Sequence, residues 1–324
     1  MKKPFRFIIF CISIIAAVTY LVSTMADSSK EGPQAPNKLI QYQGEIKTGN
    51  SEAGTYNELA INAESAIVTD IKGNVLYTKN PDKKMYPAST TKVLTALLAL
   101  ENYKLEDVIT VGDEANRAGI NSSKAGLEYG EKITMANLLK GLLLPSGNDA
   151  AYVIAVNVSR KVSGNPQMNI DGAVKYFCSM MNQRARKAGA KNSNFINPDG
   201  YHNSEHFTTA KDLSLITRET LKYPYFCEVV NTPVYSMKHN SAFNKKDKSS
   251  VRTWINTDKL ILENDSHFYK YATGVKTGHT SEAGYCLVSS AQKGGKKVIA
   301  VEMKSTEQDQ WDDAIKLLEY GLEK

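Results

Sequence analysis

Two β-hairpin signals bracket most of this chain, and nearly everything between them is helical in pattern. The first pairs residues 65–69 with 75–78 across Asp70-Ile71-Lys72-Gly73-Asn74, a run that favours a turn. The second pairs residues 285–291 with 297–303 across Lys293-Gly294-Gly295-Lys296. Shorter strand candidates lie at residues 108–111, 234–237 and 270–276. Between the hairpins, apolar periodicity predicts helices from Ser89 to about residue 101, over 135–144 behind the N-cap Thr134, over 149–162, and over 171–188, where Gly189 ends the pattern. Thr209, with Asp212 three residues on, opens another that stops before Pro224, and a last amphipathic helix covers 310–322. A hairpin at each end with helices between predicts an α+β fold: an antiparallel β-sheet flanked by helices, with a helical cluster on one side.

The chain has 324 residues, 42% of them hydrophobic and 23% charged, which excludes wholesale disorder. Its net charge of +6 is mild and its lysines are scattered apart from a short polar stretch at 245–248. No basic stripe carries interleaved aromatics, which argues against nucleic acid as a partner and leaves room only for weak attraction to an anionic surface. Lys2, Lys3 and Arg6 precede a charge-free apolar run at 7–25. Positive charge before such a run is an export signal, and the run is long enough to span a bilayer. Residues 1–26 are therefore a signal peptide, with small residues for cleavage after Ala26, or an N-terminal membrane anchor. Either way the positive-inside rule places the chain from Asp27 onward outside the cytoplasm. Residues 27–57 are a polar linker and 58–324 a single domain with no room for another. Cys11 lies in the apolar run; Cys178, Cys227 and Cys286 allow at most one intrachain disulfide and read as small core residues.

Chemistry enters at Tyr86-Pro87-Ala88-Ser89-Thr90-Thr91-Lys92. If Ser89 opens a helix, Ser89 and Lys92 share a face, and unpaired backbone N–H groups surround the hydroxyl. A hydroxyl beside an amine at such a place suits attack on a carbonyl. Acyl transfer also needs a donor for the leaving group and fixed donors for the oxyanion. Two further patterns offer them: Ser146-Gly147-Asn148 and Lys276-Thr277-Gly278. Each pattern has a decoy in the same chain: Ser290-Ala291-Gln292-Lys293, Ser163-Gly164-Asn165 and Lys47-Thr48-Gly49. Context separates them. Ser290 ends a strand, Ser163 precedes a helix-ending loop with Pro166, and Lys47 lies in the linker. Ser89 opens a helix, Ser146 sits between two apolar helices, and Lys276 ends a β-type run before a hairpin partner.

With these three patterns in order, the sequence resembles the serine D-alanyl-D-alanine carboxypeptidases, the low-molecular-mass penicillin-binding proteins of the penicilloyl-serine transferase and β-lactamase superfamily. The likeness runs from about Leu59 to Gly321. It includes Leu144-Pro145-Ser146-Gly147-Asn148-Asp149, Asn197-Pro198-Asp199-Gly200, Asn256-Thr257-Asp258-Lys259-Leu260 and Gly274-Val275-Lys276-Thr277-Gly278-His279-Thr280. The resemblance implies a hydrolase of cell-wall biogenesis without cofactor or metal. It would remove the terminal D-alanine from peptidoglycan stem peptides and be acylated by β-lactams. It implies Ser89 as nucleophile, Lys92 as a base kept neutral by burial and by a nearby cation, Lys276, and Ser146 as proton relay. Asn148, Lys276, Thr277, Gly278 and His279 would bind substrate, the backbone N–H groups of Ser89 and His279 forming the oxyanion hole. Two departures stand out. The C-terminal β-rich domain and amphipathic anchor of many relatives are absent, which favours retention of residues 7–25 as the tether. Some relatives have an arginine near the start of the last helix, where this chain has Gln310-Trp311-Asp312. The same residues would serve a D,D-endopeptidase. A β-lactamase lacks its glutamate loop here, a non-catalytic sensor lacks an output module, and His202-Asn203-Ser204-Glu205-His206 fits a zinc motif without the helix that motif needs.

Overall fold

A five-stranded antiparallel sheet organises the domain. Its strands are β1 (Ser65–Asp70), β2 (Val75–Lys79), β7 (Ala272–Thr280), β8 (Gly284–Lys293) and β9 (Lys296–Ser305), in the order β2-β1-β9-β8-β7. Both hairpins therefore join one sheet: β1 pairs with β9 from Ser65↔Met303 to Asp70↔Val298. This computed structural model describes residues 59–239 and 250–324. The apolar run at 7–25, Cys11 and the linker to residue 57 lie outside the described residues. Between the hairpins come α1 (Lys92–Asn102), β3 (Val108–Thr110), β4 (Lys132–Thr134), α2 (Met135–Leu143), α3 (Asn148–Ser163), α4 (Ile170–Lys187), α5 (Ala210–Thr220) and α6 (Pro224–Val230). Next is the ribbon β5 (Val234–His239) with β6 (Ser250–Ile255), and α7 (Asp309–Glu323) closes the domain.

Alternation along the strands sends side chains to two different cores. Ala66, Val68, Leu287, Ala291, Val298 and Ala300 pack against Trp311, Ala314, Leu317, Leu318 and Leu322 of α7. Ile67, Val288, Ile299, Val301 and Met303 face the larger cluster built around α1, α2, α3 and α5. Every residue from Lys92 to Ala99 of α1 is buried. A helix covered all round belongs to the middle of a domain, and each enclosed Leu or Val contributes roughly 1.5–3 kcal/mol. That same burial places Lys92 out of water.

Several expectations need correction. Ser89 lies in a 3-10 turn, Ala88–Thr91, that leads into α1. Strand β7 continues past Lys276 to Thr280, so Lys276 is in mid-strand. The pattern misled because Gly278 interrupts the β-type run; a side chain there would place Cβ 2.9 Å from the backbone nitrogens of Ser89 and Thr90. Helix α6 was hidden because Pro224 read as a stop, whereas proline is well suited to a first turn. The three-residue β4 and the half-polar β6 gave no period to read. Cys178, Cys227 and Cys286 are all free thiols; Cys178 and Cys286 are buried and Cys227 half-buried. Among the described residues no helix is long and apolar enough to cross a membrane.

Candidate active site

The turn that carries Ser89 is held from both sides. Thr90 donates from its nitrogen and its hydroxyl to the Pro87 carbonyl, at 3.2 and 2.6 Å. Ala88 adopts φ +47°, a strained value for a residue with a side chain. Against it lies Gly200, at φ +83°, so close that a Cβ would stand 1.8 Å from the Ala88 carbonyl oxygen. The turn and the Asn197-Pro198-Asp199-Gly200 loop thus fix each other. Thr95 Oγ1 donates to the Pro198 carbonyl at 2.6 Å and secures that loop to α1.

Lys92 Nζ is 2.8 Å from Ser89 Oγ, 2.6 Å from Asn148 Oδ1 and 2.7 Å from the Asp199 carbonyl. Its side chain is fully buried, which pulls its pKa down to about 8 against the opposing pull of Asp199 and Asp149. An ammonium would spend its three N–H bonds on these three oxygens. The neutral amine keeps Asn148 and Asp199 as acceptors and turns its lone pair to the Ser89 hydroxyl. Of the two causes expected from the sequence, burial and the Lys276 charge, burial is the main one. Lys276 is itself buried and pushed well below its ordinary value, first by burial and then by Lys92, with Asp258 opposing.

Ser146 comes from the loop between α2 and α3, and Asn148 is the first residue of α3. Ser146 is buried at φ +61°, and Gly147 packs so tightly that a Cβ would meet the Gly141 carbonyl oxygen at 2.6 Å. The buried Asp149 carboxylate accepts from the nitrogens of Ala125, Gly126, Leu127 and Ala150 at 2.7–3.0 Å. It ties the 125–127 segment to the head of α3, while Asn148 N donates to the Ser123 carbonyl.

Ser89, Ser146, Asn148, Thr277, Gly278 and His279 line one cavity of about 690 Å³. Lys276 lies behind that lining: its ammonium nitrogen is 2.9 Å from the Thr277 carbonyl and 3.4 Å from Thr277 Oγ1. His279 stacks on Tyr285 with ring centroids 4.1 Å apart. Thr277 Oγ1 is 2.6 Å from Thr257 Oγ1. Of the zinc-motif histidines, His206 is buried and uses both ring nitrogens, one with Thr91 Oγ1 and one accepting from Ile196 N. Burial, then His202 and Lys92, lowers it to about 3, so it is a neutral structural imidazole.

Sequence reasoning did not single out Asp149 and Asp199, which brace the site, or Thr257 and Lys259, which line the cavity. All four lie inside the quoted motifs, and no spacing rule says that an aspartate carbonyl will meet a lysine 107 positions away. Oδ2 of buried Asp199 has no hydrogen-bond partner among the described residues, and burial raises its pKa against the attraction of Lys92.

Comparison with known proteins finds one family and several relatives. The profile of the D-alanyl-D-alanine carboxypeptidase family, Peptidase_S11, matches residues 50–307. The D-alanyl-D-alanine carboxypeptidase DacF of Bacillus subtilis is 34% identical over 274 residues, 82% of this chain and 64% of the relative. A D-alanyl-D-alanine carboxypeptidase of a Streptomyces species is 36% identical over 255 residues, covering 77% of this chain and 83% of that protein. Among solved structures, the Streptomyces K15 DD-transpeptidase superposes with a TM-score of 0.74 at 34% identity, over 83% of this chain and all of that one.

Proposed function

The chain belongs to the D-alanyl-D-alanine carboxypeptidase family, and from that premise we propose that it removes the terminal D-alanine from peptidoglycan stem peptides through an acyl-enzyme on Ser89. The observation that carries this reading is the 2.8 Å contact between Ser89 Oγ and a desolvated Lys92 amine. Ser89 Oγ attacks the carbonyl joining the last two D-alanines as its proton passes to Lys92 Nζ. The oxyanion takes hydrogen bonds from the backbone nitrogens of Ser89 and His279, a kind of donor whose loss costs roughly 10²–10³ in rate. Ser146 relays that proton from Lys92 to the leaving amine, D-alanine departs, and water attacks the ester as the freed Lys92 amine takes its proton and returns it to Ser89 Oγ. Asn148 holds the Lys92 amine and the substrate amide. The same cavity takes a β-lactam, whose ring carbonyl acylates Ser89.

Release of D-alanine from a peptide ending Lys-D-Ala-D-Ala tests the reading. The wild type releases it, and Ser89→Ala does not. The solved neighbour's name, a DD-transpeptidase, favours one second outcome, transfer of the acyl group to an amine. Adding an amine acceptor and resolving the products by mass separates hydrolysis from transfer, and cross-linked muropeptides separate either from endopeptidase cleavage. The charge pattern of residues 1–26 supports export, with residues 7–25 as the tether. Fractionation of cells producing the full chain checks this: the protein stays with the membrane until detergent is added.

A further inference from the structure

The cavity reaches both faces of the edge strand β7, and its charges are unevenly placed. Residues paired across β7 and β8 share a face. Gly278 pairs with Cys286 and Lys276 with Val288, on the Ser89 face; Thr277 pairs with Leu287, on the α7 face. A carboxylate bound at the Thr277 hydroxyl therefore sits toward α7, whose first turn, Asp309-Gln310-Trp311, brings no cation. Lys276 lies behind the cavity lining, its nitrogen 2.9 Å from the Thr277 carbonyl and farther, at 3.4 Å, from the Thr277 hydroxyl. Among the described residues lining the cavity, Lys259 is the one lysine or arginine.

Lys259 is also held for the task. Its loop is anchored by Asn256 N to the Pro233 carbonyl, Thr257 N to the Leu144 carbonyl, Asn256 Nδ2 to the Val230 and Thr232 carbonyls, and Leu260 N to Asp258 Oδ1. Two residues before it, Thr257 hydrogen-bonds Thr277. Its ammonium stands 5.5 Å over the Trp311 ring and, among the described residues, makes no ion pair within 4 Å, although Asp265 feels its charge. The cavity's carboxylates belong to other elements: Glu307 bonds Tyr285, and Glu282 follows the end of β7 beside His202.

We propose that Lys259 is the cation that recognises the free C-terminal carboxylate of the substrate, acting with the Thr257 and Thr277 hydroxyls, so that the site selects peptides ending in an acid. This rests on the carboxypeptidase reading and names the residue that makes it exo-specific.

The test compares a peptide ending Lys-D-Ala-D-Ala with the same peptide ending in a carboxamide, for the wild type, Lys259→Met and Lys259→Arg. A charge-assisted hydrogen bond of roughly 1.5–3 kcal/mol corresponds to about 10–100-fold in kcat/KM. Lys259→Met loses that factor on the acid, carried by KM, and loses nothing on the amide; Lys259→Arg recovers most of it. Equal losses on both peptides, or none on the acid, overturn the proposal. If the wild type cleaves the last peptide bond of neither peptide, the activity reading fails by itself. Lys259 is then decided by acylation rates: Lys259→Met slows benzylpenicillin but not its methyl ester if the proposal holds, and treats both alike if it does not.

Discussion

The two faces of the central sheet each bury ionisable groups, and they treat them in opposite ways. On the α1 face, Lys92 loses water but keeps three oxygen partners, and the charges of Asp199 and Asp149 oppose its burial, so its pKa stops near 8 and the amine stays usable. On the α7 face, Glu302 lies opposite Ala66 and Leu287, and among the described residues neither carboxyl oxygen has a hydrogen-bond partner. Burial first, then Asp313 and Asp309, pushes it well above the usual carboxylate range, so it is held as the neutral acid. Asp313 nearby accepts from Asn62 N and Ala63 N at 2.7 and 2.9 Å and ties α7 to the start of the domain. The difference teaches that burial alone does not make a catalytic group. A desolvated group with partners keeps two accessible protonation states, whereas one without partners keeps only the uncharged state.

Breaking the α1 face at its nucleophile should have the largest effect. Ser89→Ala is expected to lose D-alanine release and fluorescent-penicillin labelling by at least about 10⁴-fold; persistent labelling in a gel assay would place the nucleophile elsewhere. Lys92→Met removes the base and should slow acylation on the order of 10³-fold. In the wild type the amine must be neutral to act, so kcat/KM should rise about tenfold per pH unit below about 8 and level off above it. A flat profile between pH 6 and 9 would mean that Lys92 acts without titrating. Gly200→Ala tests whether the geometry is as tight as the φ +83° and the 1.8 Å approach to the Ala88 carbonyl require. A shift of the Ser89 turn by about 1 Å should cost about 10²-fold in acylation, with circular dichroism reporting whether the fold persists.

The smallest effect lies on the other face. A raised carboxyl pKa in the folded state gives stability that is complete below the unfolded value of about 4.3 and is lost as pH rises toward the folded one. Glu302→Gln should therefore match the wild type at pH 4 and melt higher than it at pH 8, with D-alanine release unchanged. A melting curve that falls at both pH values would show that the Glu302 carboxyl makes a contact the glutamine cannot.

Both hairpins, six of the seven named helices and the serine, lysine and asparagine of the site were legible because each leaves a local signature. Strands alternate, helices repeat every three to four residues, and Thr134, Thr209 and Gly189 mark ends that the structure keeps. Gly278 misled because its reason is a neighbour distant in sequence, the Ser89 turn. Asp149 was hidden because its four N–H donors lie mostly in a loop with no periodicity.

The sequence by itself determined the α+β order of elements, the three short motifs and the charged N-terminal pattern, since all are written in neighbouring residues. Only the tertiary structure decided that Lys92 is desolvated beside Ser89 and Asn148, that Lys276 lies behind the cavity wall, and that Lys259 faces into the cavity. The reason is physical. Burial and the choice of partner depend on which segments meet across the fold, and they change what a lysine is without changing the letters around it.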